Sequence, residues 1–140
     1  MQLVYSDEGR TMGNPDPVRR RHVPFSASFL EGSEYRLLLE GRPRSAGIRC
    51  GRVVLQPGEA AGIHDSGCHE EVLVILEGKG ELWFQDFPSL PAEGGRLLYV
   101  PSHTLHDVRN TGTIPLRYLY VVAPVAEGQA SLSGDGSQTS

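Results

Sequence analysis

PGEAAGIHDSGCHEEVLVILEGKG, residues 57–80, runs from a Pro-Gly turn at Pro57-Gly58 to an apolar run at 72–76, and stops at the glycine turn Gly78-Lys79-Gly80. His64 and His69 lie between the first turn and the run, and Glu70 and Glu71 adjoin them. If the strand has begun by residue 69, His69 and Glu71 share a face with Leu73 and Ile75, while Glu70 and Val72 face the other way. A second stretch, GRLLYVPSHTLHDVRN, residues 95–110, also carries two histidines, His103 and His106, after an apolar run and Pro101. Four of the five histidines thus fall in two short segments, the first beside carboxylates. Neutral imidazole and carboxylate suit a borderline divalent ion, and two histidines with one carboxylate leave positions open for a substrate or dioxygen. Residues about forty apart can meet only if the sheet curls on itself, as in a small β-barrel.

Working outward, the chain reads as short strands. Residues 35–40, 47–56, 71–76, 80–87, 95–100 and 116–123 are rich in β-branched, aromatic or Leu side chains, and Gly or Pro bounds each of them. The last run alternates, with Leu116, Tyr118, Tyr120 and Val122 on one face and Arg117, Leu119 and Val121 on the other. No sustained helical period occurs over 45–124. The 17 glycines and 10 prolines in 140 residues agree with a turn-dense antiparallel sandwich or barrel. The segment before it, 1–24, is polar and broken by Asn14-Pro15 and Asp16-Pro17, and is expected as an irregular arm. Residues 125–140, Gly- and Ser-rich from 127 on, are expected as a disordered tail. One domain, 25–124, remains between them.

The two histidine segments resemble the two sequence motifs of the cupin superfamily, small single-domain conserved barrels. In the first motif, Gly58, His64, Glu71 and Gly78 stand at the expected spacing. In the second, Gly95, Pro101, His106 and Asn110 do. The resemblance covers roughly residues 45–124 and implies an all-β fold, the double-stranded β-helix or jelly-roll barrel. It also implies one divalent metal ion near the barrel mouth, of the Fe, Mn, Ni or Zn kind. Two departures stand out. Ser66 occupies the place of the second histidine of the first motif, and His103 replaces the inner glycine of the second. Ser66 is a poor ligand, so two ligand sets remain. One is His64, His69, Glu71 and His106, in which His69 substitutes for the missing histidine; the other is the triad His64, Glu71 and His106. The four-ligand set is the favoured expectation, with His103 outside it, near the ligands or at the surface.

Composition narrows the partners. Thirteen basic and seventeen acidic residues give a net charge of −4, which disfavours nucleic acid or an anionic membrane as the main partner. No apolar run is long enough to span a bilayer and no signal peptide is expected, so a cytoplasmic protein is. Cys50 and Cys68 are too few for a disulfide framework. Cys68, between the two histidines, reads as a half-buried loop residue rather than a ligand, and Cys50 as packing. The run Arg19-Arg20-Arg21-His22 reads as a solvated arm. Exposed sheet edges, the arm, Tyr118 and Tyr120 make a homodimer the expected assembly. The expected function is a metal-binding barrel that acts on or binds a small polar organic molecule, with dioxygenase- or isomerase-type chemistry in view. The alternative is a non-catalytic binding, sensor or structural barrel.

Overall fold

Glycine and proline turns cut the chain into strands too short to stand alone, so each must find partners across the barrel. The structure, a computed structural model, describes residues 22–126. The expected arm, 1–24, and tail, 125–140, lie outside them except for 22–24 and 125–126, and so does the arginine run 19–21. Within the described residues nine strands form: β1 (Arg36–Glu40), β2 (Arg49–Leu55), β3 (His64–Asp65), β4 (His69–Glu77), β5 (Lys79–Phe84), β6 (Leu90–Glu93), β7 (Leu97–Val100), β8 (Leu105–Arg109) and β9 (Leu116–Pro124). They make two antiparallel sheets, one ordered β1-β2-β9-β4-β7 and the other β3-β8-β5-β6. This is an all-β double-stranded β-helix, as the motifs implied. The described residues contain no helix long and apolar enough to cross a membrane.

Side-chain alternation fixes which face of each strand turns inward. Leu73 and Ile75 of β4, Leu82 and Phe84 of β5, Val108 of β8 and Leu116 and Tyr118 of β9 are buried together. Each such aliphatic side chain contributes about 1.5–3 kcal/mol when fully removed from water. Three strands of the larger sheet set these side chains in rows. Val53, Tyr118 and Ile75 form one row, then Gly51, Tyr120 and Leu73, then Arg49, Val122 and Glu71, and finally Pro124 beside His69. Going up the rows, the filling changes from hydrocarbon to charge. The barrel is therefore packed at one end and open at the other.

Two glycines are forced by this geometry. A Cβ on Gly51 would sit 2.6 Å from the Tyr120 ring, so only glycine lets that tyrosine lie across β2. Gly78 has φ +94°, and a Cβ there would meet the Pro115 carbonyl oxygen at 2.6 Å. On the opposite face of β2, Arg52 is buried, and its guanidinium donates to the carbonyls of Phe29, Glu31 and Glu34. That clamp straps 29–34 across the outside of the sheet. Asn110 is buried as well. Its amide donates at 2.9 Å to the carbonyls of Leu55 and Ile114, and its oxygen accepts from the Gly112 N–H.

The six expected strands are all present, within a few residues at their ends. β5 stops at Phe84, three residues short of the expected end, and Phe87 is exposed. β3, β6 and β8 were not expected as strands. β6 contains Pro91 and β8 is half charged or polar, so neither shows an apolar run.

Candidate metal centre

β3 is only two residues long, yet its pairing with β8 sets His64 directly opposite His106. Their rings meet edge to face with centroids 4.2 Å apart. Glu71 comes from β4 in the facing sheet, and its Oε2 lies 3.1 Å from His106 Nε2. One candidate ligand atom from each of His64, Glu71 and His106 falls within 4.8 Å of the others. His106 is fully buried, the Glu71 side chain is 11 % exposed, and His64 is open to solvent.

Backbone carbonyls orient both imidazoles. His106 Nδ1 donates to the Thr104 carbonyl at 2.9 Å and His64 Nδ1 to the Gly62 carbonyl at 2.8 Å. Nε2 is thereby the ring atom of each left to meet an ion, the arrangement that holds a ligating histidine in one tautomer. Burial opposes charge on His106, but the hydrogen bond to Glu71, the Thr104 carbonyl and the charges of Glu71 and Asp107 outweigh it and raise its pKa. A proton on Nε2 then occupies the space between imidazole and carboxylate. The donor set fits a divalent ion. Two donors about 2.1 Å from one ion at a right angle stand about 3.0 Å apart, close to the His106–Glu71 separation. Two histidines and one carboxylate match the ligand chemistry of such ions.

His69 is not part of this convergence. It lies on the same face of β4 as Glu71, as the alternation required, but one row further out, about 6.6 Å along the strand. Its exposed side chain lines a separate, outer cavity with Arg42 and Arg49. The structure thus brings together three of the four expected ligands and sets the fourth at the rim. Ser66 is engaged elsewhere too. Its hydroxyl donates to the Pro101 carbonyl at 2.6 Å and accepts from the Thr104 N–H at 3.0 Å, which latches the end of β3 to the β7–β8 turn. His103 is exposed and takes φ +51°, the left-handed conformation in which the motif places a glycine. Cys68 is exposed, and Cys50 is half-buried with its thiol pKa pushed up by burial.

The three candidate ligands line a cavity of about 290 Å³ together with Arg49, Tyr118 and Tyr120, among others. Burial drives the Tyr118 hydroxyl pKa far upward. Burial and a 2.6 Å hydrogen bond to the Tyr35 hydroxyl bring Tyr120 up to about 12. Both phenols stay neutral at ordinary pH. Their inward placement removes them from the dimer surface expected of them. Sequence reasoning saw that Tyr118 and Tyr120 share a face but not that the face is the cavity wall. It missed Arg49 altogether, which only the β2–β9 register places there.

A barrel of this topology with this motif spacing defines a cupin, and the Cupin domain family model matches residues 51–122. The chain belongs to the cupin family. It is similar to auxin-binding protein 1 of Arabidopsis thaliana, 33% identical over 142 residues, covering 86% of this chain and 68% of that protein. It also resembles the oxalate-binding protein of Thermotoga maritima, 30% identical over 71 residues, covering 51% of this chain and 58% of that protein. Among solved structures, an RmlC-like cupin protein from Desulfovibrio desulfuricans matches with TM-score 0.61 and 24% identity, covering 74% of this chain and 100% of that one. The likeness at that identity is one of fold.

Proposed function

We propose that this cupin holds one divalent ion on His64, Glu71 and His106 and uses it to bind a small polar organic molecule in the cavity that they line. The observation that carries the reading is the convergence of three donors from both sheets in the wall of a 290 Å³ cavity. Relatives whose names record binding of auxin and of oxalate support a small organic molecule as the occupant.

A bound ion would supply Lewis acidity toward an oxygen of the ligand. The chain's own residues do the rest. The Thr104 and Gly62 carbonyls fix the two imidazoles, and Glu71 gives up its hydrogen bond to His106 when the proton there leaves. Tyr118 and Tyr120 present neutral hydroxyls to the cavity, and Val53, Val108 and Val122 keep part of its wall dry. Neutral phenols are poor bases, which favours binding over turnover. Dioxygenase- or isomerase-type turnover is the second reading, carried by the coordination positions that three ligands leave open.

Elemental analysis of the purified protein, with ion titration of wild type and Glu71→Gln, tests the centre. About one ion per chain is expected for wild type, with a large loss of affinity in the variant. Wild-type affinity in Glu71→Gln would overturn it. Consumption of a candidate substrate by the loaded protein would shift the reading from binding to catalysis, whereas a ligand that only raises Tm keeps it at binding. Self-association belongs to the proposal, now resting on the β7 edge, where Leu97 is 65% and Tyr99 50% exposed. Light scattering should report a dimer; a monomer at high concentration would remove that part.

A further inference from the structure

The outer cavity has a volume of about 480 Å³ and adjoins the inner one, since Arg49 and Val122 line both. Its charged groups are Arg42 and Arg49 against the single carboxylate of Glu40, with His69 as a further polar group. Glu40 is the cross-strand partner of Arg49, yet among the described residues neither guanidinium forms an ion pair with any carboxylate. Arg42 uses Nε on the Ala46 carbonyl at 3.2 Å, and its terminal amino groups have no hydrogen-bond partner among the described residues. Tyr35 and Tyr120, joined hydroxyl to hydroxyl, stand beside Arg49.

Two cations without a carboxylate partner among the described residues, facing a cavity that opens onto the candidate metal centre, form a receptor for an anionic group. Guanidinium is suited to that task because its planar fork matches a carboxylate with two parallel hydrogen bonds. The net charge of the three charged side chains is +1 (two arginines less one glutamate), which matches a singly charged carboxylate better than a phosphate dianion. Arg49 and Glu71 both pair with Val122, from opposite sides. Their backbones are therefore two strand spacings apart, about 10 Å, and the Arg49 side chain shortens the gap.

We propose that the ligand is an elongated dicarboxylate, with one carboxylate at the His64–Glu71–His106 centre and the second in the outer cavity on Arg49 and Arg42. His69 donates to the outer carboxylate from the β4 side. The proposal deepens the reading given above and rests on it for the inner end only; the outer end stands on Arg42 and Arg49.

The test uses the full chain loaded with Zn²⁺ and, in parallel, the stripped chain. Succinate, glutarate and adipate are titrated calorimetrically against butyrate, valerate and hexanoate, which match them in length but lack the second charge. The best diacid should bind the loaded protein about 10- to 100-fold more tightly than its monoacid, the range for charge-assisted hydrogen bonds. Arg49→Gln, at a solvent-exposed position, should erase that difference, and Arg42→Gln should reduce it. Glu40→Gln should move the other way and tighten the diacid a few-fold by removing a like charge. Equal affinity for diacid and monoacid overturns the outer anchor and leaves the metal reading standing. Diacid binding that needs Arg49 but is equally tight without Zn²⁺ overturns the inner end and keeps the outer one. A loaded protein that binds neither series overturns both.

Discussion

Along 103–110 almost every polar group is spoken for. His106 is fully buried with Nδ1 on the Thr104 carbonyl. Asp107 accepts from the Gly62 N–H at 2.8 Å and from Arg109 at 3.1 Å, and Asn110 ties together Leu55, Gly112 and Ile114. Along 64–71 the contacts are mostly exposed. His64 stands exposed on a two-residue strand with Nδ1 on the Gly62 carbonyl, Asp65 accepts from the Gly67 N–H and Glu70 from the Tyr99 hydroxyl, His69 opens onto the outer cavity, and Ser66 is tied to the turn across from it. The two segments supply the candidate ligands of the proposed centre, but only the second is held by buried packing. A buried imidazole with a chosen tautomer loses little freedom on ligation. An exposed one, held by a single local hydrogen bond, keeps more freedom, and losing it offsets part of the binding free energy.

The contrast can be broken by substitution. His106→Ala should weaken Zn²⁺ binding most, by more than about 100-fold, beyond the range for losing a supporting partner. It also strips Glu71 of its hydrogen bond. His64→Ala removes the same donor type from the less ordered segment and should cost about 10-fold less than His106→Ala, because solvent fills an exposed coordination position easily. Equal losses, measured by competition against a chromophoric chelator, would remove the distinction between the segments.

Proton competition sharpens it next. In the stripped protein the raised pKa of His106 means that its charged contact with Glu71 stabilises the fold fully below the ordinary imidazole pKa of about 6.5. That contribution is lost as pH rises through the higher folded value. In the loaded protein Nε2 must be deprotonated, so ion-derived stability appears as pH rises through the same range. Stripped and loaded Tm should change in opposite directions between about pH 6 and 8. Parallel curves would show that His106 does not exchange a proton for the ion.

The smallest effect is expected from His69→Ala. It lies one row beyond Glu71, so Zn²⁺ affinity should change by less than about 3-fold, well short of a ligand's loss. A loss as large as that of His106→Ala would put His69 on the ion and restore the four-ligand set.

How legible the centre was follows from the same contrast. Alternation in 69–75 correctly put Glu71, Leu73 and Ile75 on one face, and motif spacing linked His64 to His106. Facing, however, is not reach. His69 satisfied the two-residue period and still fell a row short, because period 2 says nothing about height in the barrel. β8 was hidden by its own composition: His106, Asp107 and Arg109 stand where an apolar run would mark a strand. The Asn110 network and the Ser66 latch depend on residues tens of positions away, as does the placement of Arg49, so no local pattern announces them. Six of the strands needed only local signals, β-branched runs between Gly and Pro turns.

The place of β9 in the larger sheet has a consequence for how the protein is made. β9 lies between β2 and β4, and every inner-face row of that sheet passes through it. During synthesis β2 and β4 leave the ribosome dozens of residues before their shared neighbour does. At about 5–20 residues per second, they wait for seconds with unpaired edges and an uncovered apolar face. The smaller sheet needs no such late arrival, because β5, β6 and β8 follow one another closely in the chain. A nascent chain halted before residue 116 should therefore be a customer for chaperones, and one that has released 124 should not.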